Sequence, residues 1–522
     1  MPVVIDPEII RPYDGRLSVL ALGERSDAGA ERVFEVARSA SPDAEFRDLA
    51  DGIRGGYVDD RLVAYVDSTS GDSRTFPRLD LLDAARGLDR LARRSARELM
   101  DDDGLFPADD TARNVLDPQI LHGSRGTVRR VSETSDFLAI SRIQRVVDGI
   151  PVVGEGSQST VTVSGAGLEG ITHNWRAARV TDELSGADID ARRVAESITD
   201  SLAPAAQRRD IRVESVELVY YDGDNELIQP AFRYRAIFDQ DDRLPAARLT
   251  GFVPAIDAVD RFPIAIPTPT REPRVPKAFT TGLRSSLRPI IGRYVVRADN
   301  AGWVTSANSF LAGLRSATPS TGISPIDRQY FWAEPRLFTS ENRDFVDAVQ
   351  VALTEVHGDW SLFSTLRNNA DFVDLADVPA DGYGGASGVG SLAYWILHSC
   401  AVIPTSFDST TSYDPWWKIF NGMRAALGYR TEMWINDEIT YTFGRFAGLG
   451  APMVSNWLST VITDDSYTPV STYLEDRHHT PGVTQPMGRP SAVTVLGHAD
   501  DTIFQVSALP RPSVLQQWWY GN

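Results

Sequence analysis

The chain has 522 residues, yet Cys400 is its sole cysteine and Lys277 and Lys418 are its only lysines. A single cysteine excludes an intramolecular disulfide and any metal site built from several thiolates. Arginine therefore carries nearly all of the positive charge, which we attribute to the codon bias of a GC-rich genome. The formal net charge of −19 argues against nucleic acid and anionic membranes as partners, because both require a basic patch.

Long apolar runs are also missing. No stretch approaches the roughly 18 apolar residues of a membrane span, and the first fifteen residues, MPVVIDPEIIRPYDG, lack the basic and apolar regions of a secretory signal. The hydrophobic content of 42% is that of a soluble globular protein. We therefore expect a soluble cytoplasmic protein, with leaderless export to the extracellular space as the alternative. A mass of 57.4 kDa predicts two or three domains.

Residues 1–115 are polar and helix-leaning. The segment from Asp80 to Met100 has an apolar stripe at helical spacing and predicts a long helix. The stripe consists of Leu81, Leu82, Ala85, Leu88 and Leu91. The run Asp101-Asp102-Asp103-Gly104 then ends the helix, and we interpret it as a solvated loop rather than a cation site.

Residues 116–260 have a different texture, with short strands separated by turns. Asp148-Gly149 and Gly165-Ala166-Gly167 are hairpin-type breaks. An amphipathic helix, ADIDARRVAESITDSL, follows, and two further strands are joined by a turn at 222–225. A last strand ends near Ala258. This order predicts an α+β unit.

The segment VDGIPVVGEGSQSTVTVSGAGLEGI resembles a hairpin that recurs in prodomains of secreted bacterial metallopeptidases. The helix and strands after it are similar to the PepSY module, whose members act as inhibitors or intramolecular chaperones of attached peptidases. No His-Glu-x-x-His sequence occurs in the chain, so a zinc peptidase is not expected to follow this module.

Residues 261–290 are rich in proline, which removes backbone donors and favours extended structure, so they predict a linker. Arg271, Arg274 and Lys277 in this linker are targets for a protease that reads basic residues. From 291 to 522 strands and helices alternate, which predicts an α/β domain with a mostly parallel sheet flanked by helices. Within it we expect a helix to start in 341–350, a helix over 414–428 and a strand over 429–435.

Two apolar strands of this half end in reactive residue types. VALTEVHG ends in His357-Gly358, and LAYWILHSC ends in Ser399-Cys400, so the histidine lies 43 residues before the cysteine. A thiol needs a base within hydrogen-bonding reach to form a thiolate near neutral pH. Parallel strands deliver both side chains to one edge of the sheet, where ligand sites lie. The pattern therefore predicts a Cys–His dyad.

The strand ending in His-Gly, the strand ending in Ser-Cys and the following ALG-R segment are similar to caspase-like cysteine peptidases, including gingipains, clostripain and CHAT peptidases. In caspases the histidine also precedes the cysteine, by about 50 residues. The amino-acid sequence over most of 290–460 also resembles an uncharacterised bacterial domain family that is often grouped with these folds. The resemblance implies Cys400 as nucleophile, His357 as acid and base, and an oxyanion hole formed by the N–H groups of Gly358 and Cys400.

Each of these residues also has a structural interpretation. Cys400 could be a small packing residue, and His357 a turn residue. His398 could line the cleft, replace His357 as the base, or satisfy a polar contact in the core. Glu355 and Asp359 flank the histidine and could favour a basic substrate side chain, although a salt-bridged or solvated role is the alternative.

Three other segments attract attention. DGYGGASGVGS, over 381–391, lacks the lysine of a phosphate loop, and we interpret it as a mobile flap beside the dyad. His478 and His479, with Asp476, form a weak metal motif, so no metal and no other cofactor are expected. The aromatic residues Trp518, Trp519 and Tyr520 are expected to dock into the protein's own core or into a subunit interface.

The sequence thus favours a cysteine endopeptidase that acts on proteins or peptides and is made as a precursor, or zymogen, with residues before about 290 as the prodomain. Two alternatives remain open. One is a non-catalytic binding or assembly protein that retains a caspase-like fold. The other is a cysteine acyltransferase or amidase, because the same dyad serves that chemistry.

Overall fold

A computed structural model describes residues 3–24, 27–50, 52–68, 72–206, 210–223, 226–238, 247–255, 288–298, 301–365, 371–386, 388, 390–433, 435–464, 473–475 and 484–521. Nearly all of the predicted linker lies outside these residues, as do His478, His479 and Asp476. Of the turn predicted at 222–225, the last two residues also lie outside them.

The described part of the first half contains strands and three helices. The strands are β1 (Val3–Val4), β2 (Arg16–Leu22), β3 (Glu45–Ala50), β4 (Ile53–Val58), β5 (Arg61–Asp67), β6 (Ser73–Thr75), β7 (Ala112–Val115), β8 (Gln119–Thr127), β9 (Arg130–Val131), β10 (Ser135–Val147), β11 (Ile150–Val153), β12 (Gln158–Ser164), β13 (Gly167–Asn174), β14 (Ala178–Ser185), β15 (Ile211–Tyr221), β16 (Leu227–Phe238) and β17 (Ala247–Pro254). The helices are α1 (Asp27–Ala40), α2 (Leu88–Met100) and α3 (Ala191–Ala206).

The second half continues with strands and helices in alternation. The strands are β18 (Ile290–Val295), β19 (Ile326–Phe331), β20 (Val351–Glu355), β21 (Gly358–Asp359), β22 (Leu362–Ser364), β23 (Phe372–Asp374), β24 (Tyr394–His398), β25 (Ala425–Tyr429), β26 (Tyr473–Glu475), β27 (Thr484–Pro486), β28 (Pro490–Val495) and β29 (Leu515–Tyr520). The helices are α4 (Ala301–Ser316), α5 (Thr318–Thr321), α6 (Asp414–Ile419), α7 (Asp437–Gly448) and α8 (Met453–Thr463).

The protein has the expected α/β class, but its large sheet is mixed and mostly antiparallel. Five strands of the second half pair in parallel, in the order β19-β18-β20-β24-β25. β28 and β29 then continue the sheet in antiparallel pairing. Parallel pairing therefore covers only part of the half for which it was expected.

The parallel strands β20, β24 and β25 are buried along their whole length. Their apolar runs are continuous rather than alternating, because a parallel sheet is covered on both faces. Helix α4 packs on β18 and β20, and α7 packs on α4. This arrangement fixes the carboxyl ends of neighbouring strands at one edge.

In the middle of the chain the predicted strands and helix form. β10 and β11 are joined at Asp148-Gly149, where φ angles of 51° and 79° match the left-handed turn that a two-residue hairpin requires. β12 and β13 form the next hairpin, and α3 precedes the antiparallel strands β15, β16 and β17. The order of elements is that of an α+β unit.

The N-terminal 115 residues are less helical than expected, because β2 to β6 occupy much of them. The helix predicted from Asp80 begins only at Leu88, because Gly87 just before it has a left-handed and therefore non-helical conformation (φ 72°). Leu81, assigned to the apolar stripe, is 64% exposed. Leu88, Ala92, Ala96 and Leu99 form the buried face instead.

Two further predicted helices of the second half are wrong. The segment 414–428 is helical only as far as Ile419, and 425–429 form the buried strand β25, so the strand predicted at 429–435 does not form. Between the helix and the strand lies Gly422 (φ 126°), where a Cβ would lie 2.0 Å from the carbonyl oxygen of Gly384. Only 3-10 turns occur at Asn342–Asp344 and Val346–Ala348.

The two halves share one sheet and one large apolar cluster. β29 pairs with β8 over six residues, from Leu515↔Gly126 to Tyr520↔Leu121. Trp518 and Trp519 are almost fully buried, so the aromatic residues dock into the protein's own core as expected. The largest apolar cluster also combines first-half residues such as Tyr57 and Leu138 with Trp395 and Trp457. The largest apolar cluster thus includes residues from both sides of the domain boundary predicted near 260–290.

Among the helices in the described part of the chain, none is long and apolar enough to cross a membrane.

Candidate active site

The ends of β20 and β24 meet at the carboxyl edge of the parallel strands. They pair in register, with Glu355 opposite His398. Two residues further along each chain lie His357 and Cys400. A Cβ added at Gly358 would lie 2.6 Å from the carbonyl oxygen of Cys400. The structure therefore brings the His357-Gly358 and Ser399-Cys400 segments side by side.

Cys400 is partly buried, and its sulfur contacts the loop that precedes α7. The backbone N–H of Met433 donates to Sγ at 3.4 Å, and the thiol donates to the carbonyl oxygen of Met433 at 3.7 Å. The loop from β25 to α7 is therefore part of the thiol's environment.

His357 is partly buried and lies against the start of α4. Its ring meets Trp303 edge to face, with 4.8 Å between the ring centroids. Its carbonyl oxygen accepts the N–H of Ser364 in β22. The ring contact orients the imidazole, and the hydrogen bond fixes the backbone that carries it.

The residue after the cysteine has an unusual backbone conformation. Ala401 has a φ of 46°, which L-residues other than asparagine and aspartate seldom adopt. Its N–H donates to the carbonyl oxygen of Thr431 at 2.9 Å, which holds the turn. Such strain is concentrated at functional sites, where the surrounding structure enforces it.

Glu355 and His398 form a buried pair beneath the strand ends. His398 Nδ1 donates to Glu355 Oε2 at 2.8 Å, and both side chains have no exposed surface. Ser306 Oγ on α4 donates to Glu355 Oε1 at 2.6 Å. Neither residue lines an open cleft, so of the three roles considered for His398 the geometry matches the core polar contact. Burial likewise removes Glu355 as a direct partner of a substrate side chain.

Asp359 stays near the surface of the same edge. It belongs to β21, and its carboxylate accepts the N–H of Trp360 at 2.7 Å. The oxyanion role of the Gly358 and Cys400 N–H groups remains a prediction.

The described residues of the glycine-rich segment lie at the opposite edge of the sheet, so they do not form a flap beside the dyad. It leads into the amino end of β24, and Asp347, just before β20, fixes it. Asp347 Oδ1 accepts the N–H groups of Gly384 at 2.8 Å and Leu392 at 3.3 Å. Burial raises the pKa of Asp347 to about 6. Glycine is required here because a Cβ at Gly390 would lie 2.1 Å from Asp347 Oδ2.

Two more residues follow parallel strands at the site edge. Arg297, after β18, is buried, and its guanidinium lies 5.6 Å from the ring of Trp332, after β19. Trp332 is 41% exposed and has a φ of 64°, an outlier for a bulky residue. The strand order places β19 and β20 on opposite sides of β18. This is a topological switch point, where open α/β sheets form their binding crevice.

Sequence reasoning missed Ser306, Thr440, Met433 and Trp303. Thr440 Oγ1 on α7 donates to the carbonyl oxygen of Ser306 at 2.9 Å, which joins α7 to the buried pair. These residues occur in ordinary helix and loop segments far from the motifs, so no local pattern indicates them. Within the described ranges, no three histidine, cysteine or acidic side chains converge as metal ligands.

Residues 297–480 match a family described as a domain of unknown function, DUF6345, and this segment includes both His357 and Cys400. The comparison with curated proteins gave no match. One solved structure, of an uncharacterized protein from Eubacterium rectale ATCC 33656, is similar at 11% sequence identity. That similarity covers 47% of this chain and 85% of the other, with a TM-score of 0.26.

Proposed function

We propose that the protein is a cysteine peptidase with Cys400 as nucleophile and His357 as general acid and base. The observation that carries the proposal is the register of β20 and β24. It places the histidine and the cysteine at equivalent positions beyond the same edge of a parallel sheet. We also infer that the five parallel strands and their helices form a caspase-like unit.

In the proposed reaction the Cys400 thiolate attacks the carbonyl carbon of a peptide bond, and the negative charge moves to the carbonyl oxygen. The N–H groups of Gly358 and Cys400 would stabilise that oxygen. His357 donates its proton to the departing amine, which leaves a thioester on Cys400. His357 then removes a proton from water, which hydrolyses the thioester and restores the thiol.

Three local features support this role for Cys400. Cys400 is partly exposed, its sulfur accepts a backbone N–H, and a residue with a positive φ follows it. A cysteine that serves only packing requires none of these features. The neighbouring switch point is the place where open α/β sheets bind their ligands.

We further propose that the first half contains a PepSY-like unit that is synthesised as part of a precursor and stays bound after any cleavage in the linker. The support is the β8–β29 pairing and the apolar cluster to which both halves contribute. Removing the first half would expose the edge of β29 and many buried apolar side chains. A mature two-chain protein is therefore expected rather than a released prodomain.

The test uses the purified full chain with Cys400→Ala, His357→Ala and the control His122→Ala, which removes a histidine outside the site. Labelling by a peptidyl acyloxymethyl ketone and cleavage within 261–290 are measured by mass spectrometry. We expect the native chain and the control to be labelled and cleaved, and both site variants to lose at least 100-fold in rate, on the order of catalytic-residue losses.

Unchanged processing and turnover of peptides by the Cys400→Ala variant would refute the peptidase proposal. Labelling of Cys400 without cleavage of any peptide bond would also refute it and would point to an acyltransferase or amidase. Absence of both labelling and cleavage in the native chain would indicate the non-catalytic alternative.

A further inference from the structure

The first half of the chain contains a pocket that takes no part in the proposed reaction. Its volume is about 150 Å³, and its walls come from the end of α1, from β5, from residues 76–82 and from Glu169 in β13. An engineered apolar cavity of about 150 Å³ in another protein holds one benzene molecule. The pocket therefore has room for a ligand of the size of one ring.

One side of the pocket is apolar. Val63 and Phe76 are 4% and 1% exposed, and the N–H of Phe76 donates to the carbonyl oxygen of Val63 at 2.9 Å. Leu81 also lines the pocket, and 64% of its surface is exposed. A ligand with an apolar body would cover Leu81 and rest on the two buried side chains. Removal of this apolar surface from water favours binding.

Two of the lining side chains are charged, and they differ in their partners. Arg78 is already neutralised, because its Nη1 and Nη2 donate to the two carboxylate oxygens of Asp43 at 3.2 Å and 3.5 Å. Glu169 instead accepts a hydrogen bond from the uncharged hydroxyl group of Ser164. Within the described part of the chain no cationic side chain forms an ion pair with Glu169. Its negative charge is therefore left uncompensated.

The end of α1 adds to the negative character of the pocket. Ala37, Ala40 and Ser41 line the pocket, and the last backbone carbonyl groups of a helix carry partial negative charge. Arg38, the basic residue of the last turn, lies over the ring of Phe46 at 4.7 Å and is not among the lining residues. A carboxylate and a helix carboxyl terminus thus face one pocket, which favours a cation.

The wall formed by residues 76–82 is held in place before any ligand binds. Leu79 donates its N–H to Asp500 Oδ1 in the second half at 2.6 Å. The N–H groups of Leu81 and Leu82 donate to the carbonyl oxygens of Arg78 and Leu79 at 3.2 Å and 3.3 Å. A preformed wall lowers the cost of ordering the chain around a ligand.

We propose that this pocket binds a small organic ammonium ion. The cationic group lies at Glu169 and the end of α1, and an apolar body of about the size of a benzene ring packs against Val63, Phe76 and Leu81. The charge-assisted hydrogen bond to the carboxylate selects for the cation. The inference is independent of the proposed role of Cys400, because none of the lining residues belongs to the candidate active site.

The experiment titrates the full chain at pH 7 with benzylamine, which is protonated at this pH, and with benzyl alcohol, a neutral analogue of similar size. Saturation-transfer NMR measures dissociation constants in the millimolar range that is expected for ligands this small. Glu169→Gln removes the charge and keeps an acceptor for Ser164. Ala40→Leu places a larger side chain in the pocket at little cost in helix propensity. Glu133→Gln, which changes an exposed glutamate between β9 and β10, is the matched control.

We expect the native chain and the control to bind benzylamine about tenfold more tightly than benzyl alcohol, as one charge-assisted hydrogen bond would provide. Glu169→Gln should weaken the binding of benzylamine by about tenfold and leave that of benzyl alcohol unchanged. Ala40→Leu should weaken the binding of both ligands, because it fills the space that the ring requires. Circular dichroism confirms that each variant is folded, and either pocket variant alone tests the site.

Three results would overturn the inference. Equal affinities of the native chain for the two ligands would exclude a site for a cation. Benzylamine binding that stays at the native affinity in the folded pocket variants would place the ligand elsewhere on the protein. Absence of saturable binding of benzylamine to the native chain would exclude a site for an ammonium ion of this size.

Discussion

At the residue scale, Gly358 determines how closely the two strand ends approach. A Cβ at this position would lie 2.2 Å from Ser399 Oγ and 2.6 Å from the carbonyl oxygen of Cys400. The serine side chain can rotate, but the carbonyl belongs to the backbone and can move only with the chain. Cys400 can therefore take its observed position only because residue 358 has no side chain.

Replacing Gly358 by alanine should lower the free energy of unfolding by about 1–3 kcal/mol, because the added methyl group overlaps backbone atoms. It should also slow the alkylation of Cys400 at neutral pH. Urea unfolding and iodoacetamide kinetics measure the two effects. Gly29→Ala in α1 is the matched control, since a Cβ there would make only an ordinary contact with His173 at 3.4 Å. Equal stability of both variants would contradict the expectation.

At the element scale, the contact between α4 and α7 fixes the helix that supports the site. A Cβ at Gly313 would lie 2.1 Å from the carbonyl oxygen of Tyr441, and a Cβ at Gly444 would lie 2.3 Å from that of Phe310. Glycines on both helices thus allow their backbones to touch. Helix α4 carries Trp303, which contacts His357, and Ser306, which contacts Glu355. The contact between the two helices therefore helps to position the site residues.

Gly444→Ala should force the two helices apart and destabilise the protein by about 1–3 kcal/mol. Because α4 moves with the contact, labelling of Cys400 should become slower as well. Thr442→Ala on the same helix is the control, since Thr442 is only partly buried and alanine has the higher helix propensity. Thermal unfolding and labelling rates test the pair. A fully stable Gly444→Ala variant would show that the helices can separate without cost.

Elements with an unambiguous pattern could be predicted from the sequence. β20 and β24 are uninterrupted apolar runs, and the hairpin at Asp148-Gly149 has the residues that its turn demands. β25 could not be predicted, because the run from Asp414 begins as a true helix and its apolar residues continue into the strand. The helix ends at Ile419, and the close tertiary contact at Gly422 follows before the strand begins.

Of the site, only the two residues at the strand ends could be predicted. His357 and Cys400 end recognisable strands, and the register of those strands is a consequence of parallel pairing. The buried position of Glu355 and His398 depends on α4 and α7, whose sequence gives no sign of which residues they cover. The opposite-edge position of the glycine-rich segment follows from its connection to the amino end of β24. The prediction of a flap beside the dyad relied on the glycine content of the segment and did not take that connection into account.

At the scale of the whole molecule, polar contacts join the two halves in addition to the shared sheet. Asp500 Oδ1 accepts the N–H of Leu79 at 2.6 Å, and Asp80 Oδ2 accepts the N–H of Asp500 at 3.0 Å. Burial, followed by the charge of Asp80, raises the pKa of Asp500 to about 7. The contact between the halves therefore includes a carboxyl group that holds a proton near neutral pH.

This group should make the protein less stable as the pH rises from about 4 to about 7. Over that range the folded carboxyl keeps its proton while the unfolded one has lost it, so the folded state binds more protons. Asp500→Asn should weaken this dependence. The difference in free energy of unfolding between the variant and the native chain should favour the variant by about 1–3 kcal/mol more at pH 8 than at pH 5. Urea unfolding at both pH values tests this. Asp59→Asn, an exposed aspartate, should have no such effect.

A cut in the linker should leave the halves together. A specific protease site placed within 261–287 of the Cys400→Ala variant allows complete cleavage without any activity of the protein itself. The two fragments should elute as one species of full mass in size-exclusion chromatography and separate only in denaturant. Separate elution in native buffer would contradict the shared apolar cluster. It would support the interpretation of the first half as a prodomain that is released after cleavage.

The pairing of β29 with β8 also has a consequence for synthesis. Trp518 pairs with Gly123, so β8 is made long before its neighbour leaves the ribosome. Until then β8 has an open edge, and the groups that cover it arrive with residues 515–520. Contacts between such distant segments form slowly, and open edges invite association with other chains. The nascent protein therefore depends on protection until translation has delivered these residues, and a truncated product would be prone to aggregation.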